Sequence, residues 1–289
     1  MRARFGPAGN SDSFSAAYKS TVDAPKYLAE IGLDHYEYQC GRGVRVSDGL
    51  AAKLRSEAEK YGMTLSVHAP YFISLSGVEA EKRDKSIDYI IQSCDAADRL
   101  GADRIVIHSG SCAKLSREQA LELAGDTLLR ARKAALEQGF EHIHFCPETM
   151  GKINQLGDLR EVLELCKLDE SFLPCVDFGH LNARSLGWIK GRAEYAKILD
   201  DIENAIGIDR LRVFHSHFSK IMYTENGGEK KHLTFDDNEG FGPDYEPLME
   251  LIAQKQLAPV IICESAGTQT EDALTMKKYY ISQLPEGSE

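Results

Sequence analysis

Six residues that can ligate a metal ion follow short apolar segments at similar positions along the chain. Each of these segments is rich in β-forming residues and is followed by a stretch of helical period. The six residues are His68, His108, Glu148, Asp177, His215 and Glu264. Imidazole and carboxylate together suit zinc, and suit manganese or iron less well. Their recurrence at the ends of successive segments indicates one shared metal site, because independent structural residues have no reason to fall there.

The elements that must position these residues are the strands of a β/α barrel. The predicted strands are Arg2–Phe5, His35–Tyr38, Thr64–Val67, Arg104–Ile107, His142–Phe145, Leu173–Val176, Leu211–Phe214 and Val260–Cys263. Between them, apolar residues recur three and four apart, and Ser116 with Gln119 forms a capping-box pattern ahead of one such helix. An open doubly wound sheet is the alternative, but no G-x-G-x-x-G follows the first strand. We therefore expect an α/β fold, a (β/α)8 TIM barrel, as a single domain over residues 1–289.

In such a barrel the C-terminal ends of all strands meet in one bowl, where strand-end residues are typical of catalysis. Carboxylates buried together repel each other unless they are protonated, paired with cations or bound to metal. His180, three residues after Asp177, and His232, in the long non-periodic segment 218–245, would lie on the same rim. His35 opens its strand, and we expect it to contact solvent or a helix. The pattern thus predicts a cluster of divalent ions in the bowl.

Composition limits the partners and the compartment. The net charge of −11 argues against nucleic-acid binding by overall basicity, so a nucleic acid must be met locally. The sequence shows no secretion signal and no apolar membrane span. Seven cysteines without a C-x-x-C pair suit reduced thiols. We expect a cytoplasmic protein with no membrane association and no obligate protein partner.

The motifs around these residues resemble those of the endonuclease IV family, apurinic/apyrimidinic endonucleases of the xylose isomerase-like barrel superfamily. The resemblance covers nearly the whole chain and rests on SVHAPYFISLS, VIHSGSC, PETMGKINQLG, CVDFGHLNA, FHSHFSK, KKHLTFDDNEGFG and ICES. It implies a zinc-dependent hydrolase that cleaves DNA 5′ to abasic sites in base excision repair. Two or three Zn²⁺ ions are implied, with Mn²⁺ as an alternative.

The resemblance also implies a role for each candidate residue. Glu148 would bridge two metals, and Glu148 or Glu264 would orient the attacking water. The first metal would add His68 and His108, the second Asp177, His215 and Glu264, and the third His180 and His232. Tyr71 would probe the DNA at the lesion, or would simply pack on a neighbouring loop. Arg42, Arg45 and Lys220 are the further candidates for DNA contact.

The sequence departs from the family pattern at Lys230, where the family has an Asp two residues before the histidine that matches His232. A protonated lysine cannot coordinate, so Glu229, Asp236, Asp237 or His217 would have to substitute, or the site holds only two ions. The lysine is also the only support for a catalytically diverged barrel that binds DNA or a partner.

A divalent-metal sugar isomerase or epimerase of the same superfamily is the other alternative. Its single metal needs only a Glu, Asp, His, Glu set, which Glu148, Asp177, His215 and Glu264 would supply. The additional histidines favour a phosphodiesterase that uses several metals.

Overall fold

Alternating strands and helices form a barrel in the part of the chain, residues 2–285, that is described by a computed structural model. The strands are β1 Arg4–Pro7, β2 His35–Gln39, β3 Thr64–His68, β4 Arg104–His108, β5 His144–Glu148, β6 Cys175–Asp177, β7 His215–Phe218, β8 Ile221–Thr224, β9 Gly228–His232 and β10 Val260–Cys263. Eight of those described are parallel, in the order β1-β10-β7-β6-β5-β4-β3-β2, and a bridge between Ala8 and Glu37 joins the two ends of the sheet. The predicted (β/α)8 barrel is therefore confirmed.

Helices surround this sheet. They are α1 Asp12–Ala17, α2 Ala24–Ile31, α3 Asp48–Lys60, α4 Ala80–Leu100, α5 Arg117–Glu137, α6 Leu159–Cys166, α7 Phe178–Arg184, α8 Arg192–Ile206, α9 Ile208–Arg212, α10 Glu246–Gln254 and α11 Gln269–Ser282, with a 3₁₀ turn at Thr21–Asp23. The predicted capping box is present, with Ser116 and Gln119 each satisfying the backbone of the other at the start of α5. Among the described residues, no helix is long and apolar enough to cross a membrane.

The core has two parts, because successive side chains of a strand face opposite sides of the sheet. One part lies between the sheet and the surrounding helices. The other is a small cluster of Val106, Cys146, Leu173 and Cys175. Polar residues share the barrel interior with this cluster, and they lead up to the C-terminal ends of the strands.

Three local predictions are wrong. The segment Leu211–Phe214 is not a strand: α9 occupies Ile208–Arg212 directly after Gly207, and β7 begins only at His215. The segment 218–245 contains β8 and β9, which pair as an antiparallel hairpin. His35 does not contact solvent, since it is buried and its two ring nitrogens lie 2.7 Å from the hydroxyl of Thr64 and 2.9 Å from that of Ser66.

Candidate metal centre

Glu148 lies at the centre of a cluster of titratable side chains at the C-terminal end of the barrel. It ends β5 and is almost completely buried. Its Oε2 atom lies 3.4 Å from Nε2 of His68 and 3.3 Å from Nε2 of His108, which end β3 and β4. Two ligand atoms on one tetrahedral zinc ion, each about 2.0–2.1 Å from the metal, lie roughly 3.3 Å apart. Each histidine is therefore close enough to Glu148 to share an ion with it, and His68, Glu148 and His217 offer ligand atoms that all lie within 4.8 Å of one another.

The tautomer of His68 strengthens this interpretation. Its Nδ1 lies 2.8 Å from the carbonyl oxygen of Ala69 and must donate there, because a carbonyl can only accept. A neutral His68 therefore presents the lone pair of Nε2 toward Glu148, whose buried Oε2 has no hydrogen-bond partner among the described residues. Two facing lone pairs require a cation between them, either a proton or a metal ion.

A second set of ligands adjoins Glu148. His217 on β7 places Nδ1 3.1 Å from Oε1 of Glu148 and 3.5 Å from Oε1 of Glu264, which directly follows β10. Asp177 ends β6 and caps α7 by accepting the backbone N–H of His180 at 2.7 Å. This cap uses one carboxylate oxygen, and the other is buried without a hydrogen-bond partner in residues 2–285. Glu148, Asp177, His217 and Glu264 offer ligand atoms within 4.8 Å of one another. We call these four residues, with His68 and His108, the buried group.

His215, which the sequence suggests for this set, lies elsewhere. It is the first residue of β7, one inward-facing position below His217, and its Nε2 is 2.9 Å from Oε2 of Glu37. Because the strand begins four residues later than predicted, His217 rather than His215 reaches the level of Glu148. Sequence reasoning also missed Glu37; the signal was the alternation of polar and aromatic residues in the β2 sequence HYEYQ.

A third set of residues lies at the edge of the bowl. His180 in the first turn of α7 has Nε2 3.5 Å from Oε2 of Glu229, and His232 has Nε2 3.8 Å from Oε1 of the same residue. The Nδ1 atoms of both histidines have partners, the carbonyl of Thr149 at 2.9 Å and the hydroxyl of Ser219 at 2.9 Å. The Nε2 atoms therefore face two different oxygens of Glu229, and both histidines also offer ligand atoms within 4.8 Å of one of Glu264. We call His180, Glu229 and His232 the rim group.

A β-bulge explains how Glu229 joins this group although Lys230 occupies the position that sequence comparison favours. Residues three apart on a regular strand face opposite sides. In the hairpin, Met222 pairs with Lys231 and Tyr223 with Glu229, so Lys230 is an extra residue without a partner across the hairpin. The bulge returns Glu229 and His232 to one face and leaves Lys230 exposed.

The loop after β5 holds the hairpin in place. Gly151 accepts the backbone N–H of Glu229 at 3.0 Å, and Lys152 forms a bridge with Gly228. A Cβ atom at Gly151 would lie 2.6 Å from the Cβ of Glu229 and 2.8 Å from Cδ2 of His180. Only glycine therefore allows the loop, the hairpin and α7 to approach this closely.

Burial and mutual proximity shift the pKa values of these groups. Burial alone would raise the pKa of Glu148, but the imidazoles of His217, His108 and His68 hold it well below its usual range. Burial would lower the pKa of His68, yet the carboxylates of Glu148 and Glu37 raise it to about 9. The pKa of His180 also reaches about 9, because Asp177 and Glu148 outweigh its burial.

The pKa of Asp177 shifts upward, in the opposite direction to that of Glu148. Burial raises the pKa of its carboxyl group to about 6; His180 opposes this shift, and the nearby carboxylates of Glu264 and Glu148 add to it. The cluster thus lacks enough cations for its carboxylates, and divalent ions would supply that charge.

His215, Cys175 and His217 also lie close together. Burial raises the pKa of the Cys175 thiol well above its ordinary value, so that thiol stays protonated and is not a ready ligand.

A cavity of about 500 Å³ opens above both groups. Its lining includes Lys152 and Tyr71, a residue that is 62% exposed. Arg42 and Arg45 are exposed on the loop after β2 and do not line the cavity, whereas Lys220 lines a neighbouring one and donates to the carbonyl of Phe235. A larger groove of about 750 Å³ lies beside α6 and α8, but none of the candidate metal ligands lines it.

Comparison with known proteins supports the predicted fold. A family model described as xylose isomerase-like TIM barrel matches residues 25–279. The uncharacterized protein MJ0133 of Methanocaldococcus jannaschii is 32% identical over 275 residues, which is 95% of this chain and 96% of that protein. A probable endonuclease 4 of Mycoplasma pneumoniae is 26% identical over 248 residues, covering 84% of this chain and 81% of its own.

The barrel resembles solved structures of two kinds, an epimerase-like protein and an endonuclease. A D-tagatose 3-epimerase-like protein superposes with a TM-score of 0.69 at 20% identity, covering 91% of this chain and 94% of its own. Endonuclease IV from Thermus thermophilus superposes with a TM-score of 0.66 at 19% identity and the same coverage. These likenesses show the fold alone, so the choice between activities depends on the side chains of the bowl.

Proposed function

The chain belongs to the family of xylose isomerase-like TIM barrels, and within this family we propose that it is a zinc-dependent phosphodiesterase that cleaves DNA 5′ to abasic sites. The observation that carries the proposal is the set of histidines beyond one Glu, Asp, His, Glu tetrad. His68 and His108 flank the unpartnered oxygen of Glu148, and His180 and His232 face Glu229. An enzyme that binds a single metal ion would not require either of these arrangements.

The ligand sets follow from the contacts. The first ion would be held by His68, His108 and Glu148, and the second by Glu148, Asp177, His217 and Glu264. The third would be held by His180, Glu229 and His232, so that Glu229 takes the place of the acid expected at Lys230. With Glu229 as an acidic ligand, Lys230 would no longer argue for a catalytically diverged barrel.

When bound, divalent zinc generates a nucleophile from water at neutral pH and neutralises charge on the phosphate. The protein's residues position the reactants. Glu148 and Glu264 have carboxylate oxygens at the centre of the cluster and would orient the attacking water. Tyr71, exposed at the cavity mouth, offers an aromatic face on which an unstacked base or sugar can rest. Lys152 in the lining would contact a phosphate, with Arg42, Arg45 and Lys220 farther out.

The histidines beyond the tetrad provide the test of this proposal. We expect His68→Asn and His108→Asn each to abolish cleavage of a duplex that carries one abasic site, because either change removes a ligand of the first ion. His142→Asn is the matched control, since His142 is half-exposed and pairs with Asp98 away from the bowl. Cleavage products should carry the lesion at the 5′ end of the downstream fragment. Full cleavage by both variants would contradict the proposal.

One observation favours a second function, a sugar epimerase. Glu148, Asp177, His217 and Glu264 alone form a ligand set for one divalent ion with carboxylates able to move protons. Under this alternative, the protein would epimerise ketoses such as D-tagatose in the presence of Mn²⁺. The variants His68→Asn and His108→Asn would then retain activity while the duplex remains uncut.

A further inference from the structure

Glu37 is a buried carboxylate that the ligand sets above do not use. It lies in the middle of β2, and its side chain is fully buried. Its carboxylate crosses the barrel interior and reaches β7. There Oε2 lies 2.9 Å from Nε2 of His215, and Oε1 lies 3.1 Å from Nε2 of His217. One carboxylate thus faces both histidines of the strand.

Two more donors complete the surroundings of Glu37. The hydroxyl of Ser66 on the adjacent strand β3 donates to Oε2 at 2.9 Å, and Nε2 of Gln39 donates to Oε1 at 3.0 Å. An ionised carboxylate has about four lone-pair sites and donates nothing. Four polar groups surround this buried carboxylate, two near each oxygen, and an ionised side chain matches that environment.

The two ring nitrogens of His217 face different carboxylates, and Nδ1 is the one aligned for a hydrogen bond, 3.1 Å from Oε1 of Glu148. Nε2 faces Glu37, whereas Nδ1 faces Glu148 and Glu264 in the buried group. A proton on Nε2 is attracted to the Glu37 carboxylate, and the lone pair of Nδ1 is then directed at the position of the second ion. Metal-binding histidines commonly donate their other N–H to a carboxylate, which fixes the ring and its tautomer.

We propose that Glu37 is the positioning residue for His217 and holds its Nδ1 lone pair toward the second metal ion, an inference that rests on the proposed zinc function. The contact between His217 and Glu37 lies off the ideal hydrogen-bond axis, since Nε2 has no aligned partner in the described part of the chain. A contact of Nε2–H with an ionised carboxylate is charge-assisted and therefore stronger than one with a neutral acceptor.

Glutamine at position 37 separates this role from simple packing. Glu37→Gln keeps the shape of the side chain but offers one acceptor oxygen and one donor amide instead of two acceptor oxygens. One of the two imidazoles must then face a donor. Ser66→Ala is the matched control, because it removes a hydrogen bond to the same carboxylate while it keeps the charge and both histidine contacts.

The experiment measures zinc affinity by competition with a chromophoric chelator, and zinc content after dialysis, for the wild type and both variants. We expect Glu37→Gln to weaken the binding of one zinc ion by about 10- to 100-fold, the usual effect of losing a carboxylate that supports a metal-binding histidine. The ions at His68 with His108 and at the rim group should keep their affinity, and Ser66→Ala should bind all ions as the wild type does.

Nitrogen-15 spectra of the zinc-loaded wild type test the same inference without any mutation. They should show a proton on Nε2 of His217 and metal coordination at Nδ1. Wild-type zinc affinity in a folded Glu37→Gln protein, or coordination through Nε2, would overturn the role of Glu37 and leave the proposed function standing. A wild-type protein that binds no zinc would overturn both.

Discussion

The buried group and the rim group are built from similar side chains on different kinds of support. Glu148, Asp177 and His217 lie on barrel strands and are completely or almost completely buried. The rim group stands on a short helix and a hairpin, whereas its exposure overlaps that of the buried group: Glu229 and His232 are 17% and 26% exposed, and Glu264 and His108 are 16% and 21% exposed. Strand-held ligands are placed by the barrel itself, whereas the rim depends on one loop and one bulge. We therefore expect the buried group to bind metal more tightly and the rim group to lose it first.

Removing the shared ligand of the buried group should have the largest effect. Glu148→Gln removes a negatively charged oxygen from two ions at once. Several kcal/mol of charge stabilisation would be lost, and we therefore expect the cleavage rate to fall by about 10³-fold. Single-turnover cleavage of the abasic duplex measures this loss. Glu141→Gln, an exposed glutamate outside the bowl, is the matched control. A loss of less than about tenfold would show that Glu148 does not join the two ions.

The buried group should also make the metal-free protein sensitive to alkali. In the folded state the pKa of His68 is about 9, above the ordinary 6.5. The pKa of His180 in the rim group is raised to the same value. Each histidine therefore contributes stability that is fully present below pH 6.5 and is lost as the pH rises toward 9. Because one pKa unit corresponds to about 1.4 kcal/mol, we expect the chelated protein to lose about 3 kcal/mol of unfolding free energy for each histidine across this window. Urea unfolding at a series of pH values measures it, and zinc should remove the dependence. An equal slope with zinc bound would contradict this account.

The rim group should respond separately from the buried group. Glu229→Gln removes the carboxylate that faces His180 and His232, so we expect one zinc ion to be lost and cleavage to fall by at least about tenfold. Zinc content after dialysis and steady-state cleavage measure the two effects. Glu225→Gln, exposed on the same hairpin, should change neither. Loss of every ion from the Glu229 variant would show that the two groups are not independent.

A smaller change in the rim should follow from Gly151→Ala. The new methyl group would overlap Glu229 and His180 without touching the ligands of the buried group. We expect the rim ion to bind about tenfold more weakly, because a methyl group 2.6 Å from the Cβ of Glu229 forces the hairpin to shift. Chelator competition detects this change. Unchanged affinity would mean that the loop and hairpin separate without affecting the site.

Lys230→Asp should have the smallest effect. The substitution restores the acidic residue of the endonuclease pattern, but the bulge directs position 230 to solvent, so zinc content and cleavage should stay at wild-type levels. A gain of metal would show that Lys230, and not Glu229, occupies the ligand position in solution.

The convergence of the candidate ligands at the strand ends could be predicted because the barrel brings all C-terminal strand ends together. Glu148 and Asp177 end their strands, and His68 and His108 do the same. The position of His217 could not be predicted, because the apolar residues of Leu211–Phe214 have the composition of a strand although part of them forms α9. Glu229 was one of several open candidates, since a bulge is a feature of pairing and leaves no local pattern. Glu37 could be recognised only from the structure, by its contacts with His215 and His217 across the barrel interior.

Metal content per chain, measured by plasma mass spectrometry on protein purified without added metal, tests the central claim most directly. With the buried group and the rim group both filled, we expect about three zinc ions per chain. One magnesium or manganese ion would contradict the phosphodiesterase and favour the epimerase, and a chain that carries no metal would contradict the whole account of the site.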